Sequence, residues 1–278
     1  DWEFRRVLFR SPIDRFVLAQ LERRGFAPNP EADRPTLARR LFLAVTGLPP
    51  TPEELAAFVQ DPSPGAYDAL VKKLLETEPY KSRYAERLAV PWLDAARYAD
   101  TSGIHMDAGR QMWKYRDWVI DAYRNNQPFD QFVQEQIAGD LLPSPTQSQL
   151  IASGFHRCHV TTDEGGAIDE EYLVEYAVDR VSTTGSVFLG LTLGCARCHD
   201  HKYDPVTQED FYKFYAYFNS IEEPGLYSQA PDPNRALEPF VSVPTMAQQQ
   251  QRTQLQSDLE TAQKALLEQS PRSEEHTS

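Results

Sequence analysis

The chain has 278 residues, 41% hydrophobic and 25% charged, with a net charge of −13. An aromatic content of 11% excludes a wholly disordered chain, and the acidic balance argues against nucleic acid as a partner, because phosphate affinity comes from Lys and Arg. The longest apolar run, residues 187–194, is far below the roughly 20 residues that span a bilayer, so no transmembrane segment is expected in this fragment.

Both ends stand apart. Residues 3–11 read EFRRVLFRS and residues 272–278 read RSEEHTS, and both look like translated adapter sequence from DNA sequencing libraries. Residues 1–11 and 272–278 are therefore set aside, and the remainder is expected to be a fragment of a longer protein.

The interior predicts a mainly helical chain. Residues 12–24 carry Ile13, Phe16, Val17 and Leu21 at helical spacing, with Gly25 as a stop. Residues 36–45 repeat the pattern, and Thr51-Pro52-Glu53-Glu54 reads as a capping box opening the next helix. Further helices are expected over 66–75, 80–98 (bent or broken at Pro91), 112–123, 128–142 and 147–155. Residues 99–111 read as a Gly-containing loop holding His105 and Met106. A long, increasingly apolar helical pattern covers 168–193, and an aromatic one covers 210–218 with Thr207 and Asp210 as its cap. Alternating strand patterns are scarce, so the expected fold class is all-α: an irregular multi-helix domain with long loops. Residues 12–222 form that domain, residues 223–244 read as a Pro-rich linker, and residues 245–271 read as a Gln-rich helix or short coiled coil, with Leu255, Leu259, Ala262 and Leu266 at heptad spacing.

Two of the three cysteines lie in Cys195-Ala196-Arg197-Cys198-His199. C-x-x-C-H is the attachment signature of c-type haem. Residues three apart share a helix face, so Cys195 and Cys198 can reach two vinyl groups on one porphyrin edge while His199 supplies an axial nitrogen. Gly190 and Gly194 would let a flat macrocycle approach the backbone. His105, Met106, His156 and His159 are candidates for a second axial ligand, His159 first among them. His201, two residues from His199, points elsewhere on a helix. Three other readings stand beside haem: a Cys195–Cys198 redox pair, a zinc site using Cys195, Cys198, His199 or His201 with Cys158 or His159, and a reduced pair with no ligand. Glu164, Glu170 and Glu175 read as a solvated acidic face, and Asp204-Pro205 reads as a turn.

Several stretches resemble, in order, a planctomycete cytochrome-associated domain of unknown function, the second of the planctomycete cytochrome domains. These are IDRFVLAQLE, RRLFLAVTGLPPTPEEL, RYADTSG, YRDWVIDAY, PFDQFVQEQIAGDLLP, EEYLVEYAVDRVSTTGSVFLGLTLGCARCHDHKYDP and QEDFYKFYAYFNS. The resemblance implies a large, exported, multi-module protein, and it places the family's C-x-x-C-H on Cys195, Cys198 and His199. It places the family's Gly-Phe, Arg, His stretch on Gly154, Phe155, Arg157 and His159. Cys158 departs from the family pattern, which weakens a zinc scheme that needs it. The expected function is a periplasmic or secreted domain with covalent haem c, working in electron transfer or redox chemistry with a partner protein or a neighbouring cytochrome-like module. The alternatives are a peroxidase-like module and a zinc-stabilised or cofactor-free interaction module.

Overall fold

The structure, a computed structural model, describes residues 11–227 and 236–269. The described residues are all-α, with three isolated β-bridges and no sheet. The stretches set aside at the ends lie outside them except for Ser11. Among the described residues eleven α-helices run in the order α1 (Pro12–Arg23), α2 (Arg34–Thr46), α3 (Pro52–Gln60), α4 (Ala66–Glu76), α5 (Tyr80–Ala95), α6 (Trp113–Arg124), α7 (Phe129–Ala138), α8 (Gln147–Ala152), α9 (Asp169–Thr184), α10 (Gln208–Tyr215) and α11 (Met246–Gln269). The chain divides into two units, Asp1–Ala95 with Arg116–Phe132 and Ala96–Tyr115 with Val133–Ser278.

In the first unit, local chemistry sets the helix starts. Ser11 with Asp14 and Thr51 with Glu54 form capping boxes, and Asp33 accepts from the Thr36 amide. The amphipathic faces of α2, α3 and α4 then bury Leu41, Phe42, Phe58, Leu70 and Leu74, and Tyr80 meets Phe42 edge-on at 6.0 Å. Each such side chain contributes about 1.5–3 kcal/mol by leaving water. Trp118 stacks on Phe132 at 5.3 Å in the same unit. Helix α5 is not broken at Pro91 and runs through it to Ala95.

In the second unit, α9 is the central element. It buries Tyr176, Ala177, Arg180 and Val181, and its Val181 joins Leu193, Ala196 and Phe211 in one apolar cluster. Helix α10 packs on α9 through that cluster, with Thr207 and Asp210 forming the expected capping box. The long helix expected over 168–193 is shorter than its apolar pattern. After Thr184 the chain makes one π turn, Gly185–Leu189, and reverses at Gly190, where φ is +65°. That left-handed conformation costs a residue with a Cβ about 1–2 kcal/mol, so glycine ends the helix here. Helix α11 is a single helix with Leu255, Leu259 and Leu266 all exposed.

Candidate cofactor-binding site

Cys195 sits on a 3₁₀ turn, Leu193–Arg197, with Cys198 at its C-cap and His199 just beyond, rather than on the helix expected from the sequence. A 3₁₀ turn has three residues per turn, so residues i and i+3 eclipse one another. The apolar pair Leu193 and Ala196 faces inward and is buried, while Cys195 and Cys198 are exposed free thiols. Leu193 can sit this deep because Gly185 has no side chain: a Cβ there would lie 2.5 Å from Leu193 Cδ1. Gly190 and Gly194 face open space, with nothing closer than 3.7 Å to a Cβ built on either.

Polar contacts fix the turn from below. Arg197 pairs with Glu175 on α9, with Nη1 donating to Oε2 at 3.0 Å. The Arg197 carbonyl accepts from Gln208 Nε2 at 3.0 Å and from the Tyr212 hydroxyl at 3.1 Å, both on α10. The Gln208 amide donates to Asp200 Oδ1 at 2.8 Å. His199 is exposed, and its Nδ1 lies 2.8 Å from the Asp200 carbonyl oxygen. A carbonyl only accepts, so Nδ1 carries the proton and Nε2 keeps its lone pair.

His201 does something else. Its Nδ1 accepts from the amides of Tyr203, at 3.3 Å, and Asp204, at 2.8 Å, while its own amide donates to the Val206 carbonyl. His201 therefore folds residues 201–206 into a turn, in keeping with the turn expected at Asp204-Pro205. Among the described residues no three His, Cys, Asp or Glu side chains are grouped to hold a metal ion.

His159 lies in a different part of the second unit, in a buried charge network. Its side chain is fully buried. Nδ1 donates to the Val160 carbonyl at 2.8 Å, and Nε2 accepts from Arg180 Nη2 at 2.7 Å. Glu223 binds Arg180 through both carboxylate oxygens and also pairs with Arg157. Arg157 Nη2 continues to the Tyr227 hydroxyl at 3.2 Å. Burial pushes the His159 imidazole down to about 4, so it is neutral near neutral pH. Burial alone would raise Glu223, but the bonds and the charge of Arg180 outweigh it and hold the carboxylate well below its ordinary range. Both ring nitrogens of His159 are thus spent inside the protein.

The other candidates are equally scattered. Cys158 is buried among Arg97, Arg110 and Arg157, and burial pushes its thiol up to about 12 despite those charges. His156 donates from Nε2 to the Ile137 carbonyl at 3.1 Å. His105 bonds Asp163, and Met106 is exposed. Cys195, Cys198 and His199 lie on and just after one turn, and none of the proposed second ligands is clustered with them. Glu164 and Glu170 are exposed as expected, whereas Glu175 is half-buried against Arg197.

A family model named PSCyt2, described as a protein of unknown function (DUF1549), matches residues 12–223. The chain belongs to this family. No curated protein and no solved structure was found to match it significantly. The PSCyt2 match takes in both the Cys195–His199 turn and the Arg157–Arg180–Glu223 network. Sequence reasoning missed that network as a site: Arg180 reads as one polar residue in an apolar pattern, and Glu223 opens the segment taken for a linker. A buried arginine on the inner face of an amphipathic helix was the one local signal for it.

Proposed function

We propose that this PSCyt2 domain carries one covalently attached haem c and serves electron transfer or related redox chemistry. In this reading Cys195 and Cys198 form thioethers by addition to the two vinyl groups, and His199 binds the iron through Nε2. When bound, the group would supply a one-electron couple.

One observation carries the reading: two exposed free thiols three residues apart, and an imidazole with an available Nε2, stand on and just after a single anchored turn. Axial histidines are commonly oriented by donating the other ring N–H to a backbone carbonyl, as His199 does to Asp200. Leu193 and Ala196 hold the turn to the core, and Arg197 with Gln208 and Tyr212 sets its direction, so the thiols face outward. His159 stays outside the proposal as a ligand, because its Nε2 is committed to Arg180. Zinc remains the alternative cofactor for the same thiols.

Haem of this kind is attached outside the cytoplasm, so the proposed location is periplasmic or secreted. The partner is a redox protein or a cytochrome-like module in the full-length protein. No helix of the described residues is long and apolar enough to cross a membrane.

The test is expression in a host with haem-ligation machinery, followed by denaturing electrophoresis and a haem stain. Stain that migrates with the chain and is lost in Cys195→Ala/Cys198→Ala supports the proposal. A colourless chain containing stoichiometric zinc overturns it in favour of a metal-stabilised interaction module.

A further inference from the structure

Within the second unit and outside the haem-motif turn, residues 99–111 fold back on themselves. Thr101 and Gly109 form an antiparallel bridge, and the Ser102 amide donates to the Ala108 carbonyl at 2.9 Å. Gly103 bridges in parallel to Thr161, whose amide donates to the Ser102 carbonyl at 2.8 Å. The Tyr227 amide donates to the Thr162 carbonyl at 3.0 Å. Three separate stretches of backbone thereby border a small, partly open cavity of about 10 Å³, lined by Ser102, Arg110, Thr161 and Asp163 and by the apolar Ala108 and Leu237 among others.

The lining is mixed, and its polar residues are buried: Ser102 is 6% exposed, Arg110 5%, Thr161 2% and Asp163 4%. Ser102 Oγ and Thr161 Oγ1 are buried and have no hydrogen-bond partner among the described residues. Each unpaired buried hydroxyl costs about 1–3 kcal/mol, and both residues line this one small cavity.

The neighbouring groups decide the chemistry of a guest. Arg110 spends its donors on the carbonyl oxygens of Ala99, Cys158 and His159. Asp163 Oδ1 takes the His105 imidazole at 3.0 Å. A cation and a carboxylate therefore border the same space, which favours neither a free anion nor a free cation. The two hydroxyls can each donate or accept. The volume is at the threshold of about 10–15 Å³ that admits a single water and excludes anything of phosphate size.

We propose that one internal water occupies this cavity, bonded to Ser102 Oγ and Thr161 Oγ1. It completes the joint between the 99–111 loop and residues 161–163, and so supports the place where His105, at φ +59°, meets Asp163.

The test is a crystal structure of the full chain at a resolution that shows ordered water, with a parallel bromide soak. A single density peak within hydrogen-bonding distance of both hydroxyls, silent in the bromide anomalous map, is the expected result. An empty cavity, hydroxyls bonded to other protein groups, or a bromide peak there would each overturn the proposal. In solution, long-lived water cross-peaks to the Ser102 and Thr161 amides should appear for the wild-type chain and vanish in Ser102→Ala/Thr161→Val. If that variant fails to fold, the wild-type spectrum decides alone, and absence of the cross-peaks counts against the water.

Discussion

At the scale of single residues, the two notable clusters obey opposite rules. The Cys195–His199 turn keeps its reactive atoms in solvent, while the Arg157–Arg180–Glu223 network keeps full charges out of it. A buried pair is costly to break, because removing one partner leaves the other charge uncompensated. Glu223→Gln is therefore expected to destabilise the domain by about 3–5 kcal/mol, read by urea denaturation. His159 gives a pH signature with a definite sign. Its folded value, about 4, lies below the ordinary 6.5, so the unfolded state takes up the proton first and stability is lost as pH falls from about 6.5 toward 4. Moving from pH 7 to pH 5 should cost about 2 kcal/mol from this group; burial pushes His156 down to about 4 as well, so His159→Gln should roughly halve the slope of the pair. Glu223, held low, adds a further loss only below the ordinary carboxylate range.

At the scale of elements, the starts of helices were legible in the sequence and the end of α9 was not. Thr51 with Glu54 and Thr207 with Asp210 cap as their spacing indicated, because a capping box is satisfied within four residues. Residues 187–194 form one apolar run, and periodicity alone cannot show that Gly190 turns left-handed and that a 3₁₀ turn follows. Both thiols of the C-x-x-C-H spacing are exposed, Cys195 within that 3₁₀ turn and Cys198 at its cap. The Glu223 contacts were invisible for a different reason: they join residues 43 and 66 positions apart. Leu193→Ala should cost about 2–5 kcal/mol by opening the cluster under the motif turn. Gly190→Ala should cost only the backbone strain, about 1–2 kcal/mol, since nothing stands within 4 Å of a Cβ there. Urea melts of the two variants side by side check the order.

At the scale of the whole molecule, the chain is an all-α member of the PSCyt2 family, and the lack of a sheet among the described residues agrees with the scarcity of strand patterns in the sequence. Helix α11 contributes exposed leucines and no buried ones, so ending the chain after Pro244 should leave the unfolding free energy of the remainder within about 0.5 kcal/mol. The proposed role as an electron carrier turns on the bonds made by two sulfur atoms. The most direct measurement is the intact mass of the denatured chain, made in a host that ligates haem and alkylated after unfolding. The expected result is a chain heavier by one haem with a single alkylated cysteine, Cys158, of its three. Three alkylated cysteines on a chain of unmodified mass would contradict it.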